Sequence, residues 1–132
     1  MDINSYAAGL IDGEGSVTLM KSGPSVPYKR PGVSVASTTY DLMIFMKENF
    51  GGHISKKKTY QSHHLPSYHW QVYNEGALRL LERISDYLIE PKKKARAKYL
   101  LKQYKIVTPR NGKYNPAMKE AKLLFEEEFR NL

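Results

Sequence analysis

Two periods alternate along the chain. Residues 2 to 13 carry Ile3, Tyr6, Ala7, Leu10 and Ile11 at helical spacing, with Asp2 or Asn4 placed to cap the start. Gly13 and Gly15 break that pattern. From Ser16 to Lys21 the polar and apolar positions alternate, Val17 and Leu19 against Thr18 and Met20, as in a strand with one buried face. The turn-rich segment SGPSVPYKRPG leads into a second strand, Gly32 to Ser37, with Val33 and Val35 buried. Thr38-Thr39-Tyr40-Asp41 has the form of a capping box with Asp in place of the usual Glu. It opens a helix carrying Leu42, Met43, Met46 and Phe50, which Gly51-Gly52 stop. His53 to Tyr60 and Ser67 to Tyr73 form a hairpin around QSHHLPS.

The helical period returns at Glu75, with Ala77, Leu81, Ile84 and Leu88 on one face. Pro91 interrupts it, because proline lacks a donor and clashes with the preceding turn. A Lys-rich helix follows over about residues 92 to 105, then the loop TPRNGKYN. Pro116 suits the first position of a last helix, striped by Met118, Ala121, Phe125, Phe129 and Leu132. The expected fold is α+β: an α-β-β-α-β-β-α core with a four-stranded antiparallel sheet, helices on one face and the other face free. No repeat or linker divides it, so residues 1–132 are expected to form one domain.

Charge adds a partner to this picture. Lys and Arg total 21 against 13 Asp and Glu, a net +8 that points to a polyanion, nucleic acid before an anionic membrane. No apolar run approaches the ~20 residues of a membrane span. The absence of cysteine excludes a disulfide framework, thiolate catalysis and a cysteine-ligated zinc finger. The opening MDINSYAAGLIDGEG lacks the pattern of a secretory signal, so the expected location is the cytoplasm, or an organelle that makes the protein itself. His53, His63, His64 and His69 match no standard zinc spacing.

One motif narrows the function. Ala7-Ala8-Gly9-Leu10-Ile11-Asp12-Gly13-Glu14-Gly15-Ser16 resembles the signature of the LAGLIDADG homing endonucleases, with the central Gly-Leu-Ile-Asp unchanged. Around it, residues 3 to 105 follow a similar element order. Small residues let two helices approach closely, and Ala8, Gly9 and Gly13 supply them. An acid beyond each helix end would then meet its copy across a two-fold axis, a repulsive pair unless divalent cations sit between. The resemblance implies a homodimer, because the motif occurs once, with Ala8, Gly9, Asp12 and Gly13 at the interface. It implies site-specific cleavage of double-stranded DNA by two metals in an in-line hydrolysis. It assigns Glu14 to the metal-binding acid and the Gly13 carbonyl to a further ligand, and gives Asp12 a structural role. Mg²⁺ is the implied cofactor, with Mn²⁺ as a substitute and Ca²⁺ supporting binding without cleavage.

The resemblance also places a polar residue at the end of the second strand, here Ser37, and a lysine early in the helix after Pro91. Lys92, Lys93 and Lys94 compete for the latter position, and Lys93 fits best. Alternation relative to the buried valines puts Thr18, Met20, Ser22, Arg30 and Ser34 on the free sheet face, and His69 and Gln71 beside them. Lys56, Lys58 and Lys92 complete the expected DNA-binding set. The alternatives are a non-catalytic protein of the same fold, either an RNA maturase or a DNA-binding regulator, and a basic RNA-binding domain. Metal-dependent cleavage separates the enzyme from all of these.

Overall fold

A computed structural model describes residues 1–57 and 65–132. Among the described residues the chain runs α1 (Ile3–Glu14), β1 (Gly15–Met20), β2 (Arg30–Ser37), α2 (Tyr40–Phe50), β3 (His53–Lys57), β4 (Ser67–Tyr73), α3 (Asn74–Ile84), a 3₁₀ turn (Ser85–Tyr87), α4 (Pro91–Gln103) and α5 (Pro116–Arg130). The strands form one antiparallel sheet in the order β1-β2-β4-β3. This is the expected α+β fold.

Local chemistry sets the helix ends. Asp2 caps α1 by accepting the Ser5 N–H at 3.1 Å, while Asn4 accepts from Arg83 Nε at 3.0 Å. The capping box at α2 does not form. The Thr39 side chain accepts no bond, and the Thr39 N–H donates to Ser37 Oγ at 3.0 Å instead. α3 ends at Ile84, before Leu88, because the chain tightens into the 3₁₀ turn. Pro91 therefore breaks no helix: it is the first residue of α4, whose N-cap is Glu90.

The core lies between the helices and one face of the sheet. Val17, Val33, Val35, Trp70 and Val72 line that face against Ala7, Ile11, Met43, Met46, Leu81, Ile84 and Leu100. Trp70 donates its indole N–H to the Gly51 carbonyl at 2.8 Å. Gly52 lies beside it at φ +82°, where a Cβ would stand 2.3 Å from the Gln71 carbonyl oxygen, so only glycine fits the entry to β3.

α5 sits differently from its apolar stripe. Lys122, Phe125, Glu126 and Phe129 are buried, and Met118, Ala121 and Leu132 are exposed. The rotation is held by polar groups satisfied inside. Glu126 accepts the Lys29 N–H at 3.0 Å, and the Lys122 ammonium bonds the Thr108 hydroxyl and lies 4.2 Å from the centre of the Tyr104 ring.

Candidate nucleic-acid interface and metal-binding acid

The junction of α1 and β1 is built around a close approach. A Cβ at Gly15 would meet Ile11 Cα and the Ser34 carbonyl oxygen, both at 2.8 Å, so helix and sheet pass at a distance that excludes any side chain. Glu14 is thereby fixed as the last residue of α1, exposed and without a hydrogen-bond or ion partner among the described residues. A helix C-terminus carries partial negative charge and unpaired carbonyls, so an acid there is locally unfavourable.

The neighbouring groups of the motif hold the junction in place. Asp12 accepts the Ile89 N–H at 2.9 Å and the Glu90 N–H at 3.1 Å. Glu90 in turn accepts the N–H groups of Lys92 and Lys93, which hold its carboxyl below the usual range, the Lys93 bond most. Lys93 reaches back, donating its ammonium to the carbonyls of Ile11 at 3.0 Å and Asp12 at 2.7 Å. The cation is thus engaged at the last turn of α1, where it offsets the helix dipole. Of its two competitors, Lys92 is exposed and Lys94 half-buried. Ser37 ends β2 with its oxygen accepting from Thr39 and its own proton free to donate.

The small residues of α1 divide between two sides. Gly9 and Gly13 are exposed, with nothing within 4 Å of where a Cβ would stand. Ala8 is fully buried within the chain, on the face that packs inward, and so differs from the expected interface set. Asp12 is half-buried, with its carboxylate engaged within the chain.

The sheet face away from the helices carries Ser16, Thr18 and Met20 from β1, Arg30, Ser34 and Ala36 from β2, and Ser67, His69, Gln71 and Tyr73 from β4. Thr18, Met20, Arg30, Ser34, His69 and Gln71 therefore stand where alternation puts them. Ser22 lies past the end of β1, exposed in the turn. Lys56 is a correction. Ile54 pairs with Trp70 on the core side, so Lys56, opposite Tyr68, shares that side, and Lys57 takes the open one. Lys58, like His63 and His64, lies outside the described residues.

Aromatic and basic groups beyond those expected from the sequence also stand on the open face. Tyr73 carries the Arg30 guanidinium 4.1 Å from its ring centre, and His53 and Lys57 complete the β3 row. Their signal was strand parity, which a register anchored on Trp70 would have supplied. His69 and Gln71 touch: Gln71 Nε2 lies 2.6 Å from His69 Nδ1. Burial, then Lys57 and His53, hold the His69 pKa below its ordinary value.

Among the described residues no group of three or more His, Cys, Asp or Glu could enclose a metal. One chain offers a free carboxylate at Glu14 beside the Gly13 carbonyl, to which no side chain donates among the described residues. These are hard oxygen donors that suit Mg²⁺, and two of them are too few to enclose it. No helix among the described residues is long and apolar enough to cross a membrane.

No family model and no curated protein matches the chain. Solved structures do. The homing endonuclease I-CvuI, crystallised with its target in the presence of Ca, superposes with a TM-score of 0.73 at 18% identity, over 96% of this chain and 79% of that one. A second I-CvuI crystal, with the I-CreI target and Mg and with its DNA not cleaved, gives 0.70 at 19% identity over the same shares. The group I intron-encoded I-CeuI, complexed with DNA, gives 0.67 at 17% identity, over 99% of this chain and 67% of that one. Identities this low speak for architecture alone, and in architecture the chain has the fold of these homing endonucleases.

Proposed function

We propose that the chain is a site-specific double-strand DNA endonuclease, active as a homodimer and dependent on a divalent cation, Mg²⁺ first. The observation that carries this reading is Glu14: a free, exposed acid at a helix end that disfavours it, while the motif's other acid, Asp12, and Lys93 of α4 are engaged in holding that end still. Local rules broken at one place, with the surroundings braced, mark a functional site. The exposed Gly9 and Gly13 offer a second α1 a close approach, which would bring two such acids together.

In this reading Glu14 and the Gly13 carbonyl hold the cation, which supplies Lewis-acid activation of the phosphate and of a water. Asp12, Glu90 and Lys93 position the helix end. The Ser37 hydroxyl and exposed Lys92 are the candidates to orient water and to face phosphate. The open sheet face enters the major groove, where alternate side chains reach base edges. The net charge of +8 supplies attraction to the backbone.

The test is incubation with the intronless form of the gene that carries this reading frame, in Mg²⁺ or in EDTA. Wild-type protein should cut in Mg²⁺ alone, and Glu14→Gln should bind the site in Ca²⁺ yet leave it intact. Wild-type protein that binds without cutting would make the chain a regulator or, if it prefers the intron transcript, a maturase. A Glu14→Gln protein that cuts at the wild-type rate would falsify the assignment of the acid.

A further inference from the structure

Lys122 of α5 is only 1% exposed, and its ammonium has no carboxylate within ion-pair distance among the described residues. Glu126, one turn further along the helix, acts on it from beyond that distance, and its carboxylate accepts the Lys29 N–H. An ammonium has three donors. One goes to the Thr108 hydroxyl, and the others have no hydrogen-bond partner among the described residues. The rings of Tyr104 and Phe125, centred 4.2 and 5.6 Å from the nitrogen, shield part of the charge. Burying a charge is costly unless it is paired, so a buried cation with unused donors calls for an anion. Burial draws the Lys122 pKa down to about 8, which still leaves it charged at neutral pH.

Room for an anion lies beside it. A cavity of about 360 Å³ opens among α5, the end of α4 and the turn before β2, with Tyr28, Tyr104 and Tyr114 on its wall. The charged residues that line it, among those described, are all cations: Lys29, Arg30 and Lys122. Burial raises the pKa of Tyr104 and of Tyr114, so both keep their protons, and their hydroxyls lie near that of Thr108. Arg30 stands close enough to act on the Tyr104 hydroxyl, and its Nε is buried with no partner among the described residues.

The geometry points to this cavity as the binding site of a small phosphomonoester, its phosphate held by Lys122, Arg30 and the hydroxyls beside them, its organic group against Tyr28 and Tyr114. A tetrahedral dianion uses more donors than chloride or a carboxylate can, and it matches two cations. The cavity is larger than a bare phosphate. The rings of Tyr28 and Tyr114, with centres 4.3 Å apart, add an apolar wall that suits a flat group such as a nucleotide base. The site goes beyond the proposed cleavage and does not rest on it, since Glu14, the Gly13 carbonyl and Lys92 take no part. An anion held here joins α5 to the start of β2, so binding should appear as added stability.

The test is thermal unfolding of the full chain without DNA and in EDTA, so that no metal at Glu14 can hold phosphate. The probes are orthophosphate, deoxyadenosine monophosphate and deoxyadenosine, at constant ionic strength. Both phosphates should raise Tm saturably, the mononucleotide at lower concentration, and deoxyadenosine should not. At ten times Kd the folding constant rises about elevenfold, a shift of about 4 °C for a chain of this size. Lys122→Met should lose the response. Should that variant fail to fold, Thr108→Val decides, with Kd expected to rise about tenfold. The proposal is overturned by wild type that ignores millimolar phosphate, by an equal response in Lys122→Met, or by an unchanged Kd in Thr108→Val. A mononucleotide that binds no more tightly than orthophosphate, or no more tightly than deoxyadenosine, also overturns it. So does Lys122-dependent stabilisation by duplex DNA without terminal phosphates and by neither free phosphate, which would give the cavity to the DNA backbone. Cleavage of the target in Mg²⁺ is read separately, so either reading can fail without the other.

Discussion

Two acids two residues apart should behave in opposite ways. Asp12→Asn leaves the size of the side chain unchanged but gives it one acceptor and one NH₂ group. The carboxylate now serves two backbone donors, Ile89 N at 2.9 Å and Glu90 N at 3.1 Å. The amide can accept only one, and its NH₂ must face the other N–H. A hydrogen bond to a charged group contributes roughly 1.5–3 kcal/mol. The orphaned N–H costs less than a fully buried one, because this segment is at the surface, with Ile89 84% exposed. The net expectation is a loss of about 2 kcal/mol. The Lys93 contacts reach backbone carbonyls and survive the change. With a urea slope of roughly 1–3 kcal/mol per molar, the midpoint should fall by about 1 M at unchanged slope. Protein concentration must be held fixed, since assembly adds to apparent stability. Glu14→Gln, measured alongside, should leave the midpoint where it is. An Asp12→Asn loss below about 0.5 kcal/mol, the scatter of ordinary surface changes, would refute the bracing role.

Gly15→Ala should cost about 1–3 kcal/mol of overpacking, seen as a lower thermal midpoint, because its Cβ would stand 2.8 Å from two backbone atoms; wild-type stability would show that the junction yields. Burial holds Lys122 at about 8 against its ordinary 10.5, with Glu126 opposing. Between those values the unfolded chain binds the extra proton, so stability should rise with pH from about 8, by about 1–3 kcal/mol before the tyrosines titrate, and a flat profile matching that of Lys122→Met would count against it. Lys57→Ala should weaken DNA binding and make the salt slope shallower by about 0.9 for each phosphate the lysine had neutralised, while Lys56→Ala should not; the reverse order in salt-dependent binding assays would mean the β3 register is otherwise.

Much of this molecule was legible because short-range rules and the long-range fold agree. Asp2, Gly51-Gly52 and Pro116 mark element ends by their own chemistry, and Val17, Val33 and Val35 set the parity of their strands. What failed did so where a distant group decides. Parity in β3 is fixed by Ile54 against Trp70, sixteen residues on, which moved Lys56 to the wrong side. The face of α5 is fixed by Lys29 and Tyr104, which draw Glu126 and Lys122 inward against the apolar stripe. Of the candidate site, the motif pointed at Glu14 and at a structural Asp12, but gave no sign that Lys93 is bound to the end of α1. That bond joins residues 82 and 81 apart in sequence, beyond any local signal.

The Arg96 contact has a consequence for how the sheet ends. Outer strands offer unpaired backbone groups to any passing strand, and the order β1-β2-β4-β3 leaves two of them. On β1 the Val17 carbonyl receives Arg96 Nη1 at 3.2 Å, and that guanidinium lies 5.0 Å from the ring centre of Phe129 in α5. The last helix thereby steadies the arginine that closes this edge. Cutting the chain after α4 should therefore leave β1 sticky, giving aggregates from a sheet that is otherwise intact. Among the described residues no helix side chain bonds the backbone of β3. There Lys56 and Lys57, on opposite faces of a five-residue strand, place like charges that would oppose pairing with a second copy.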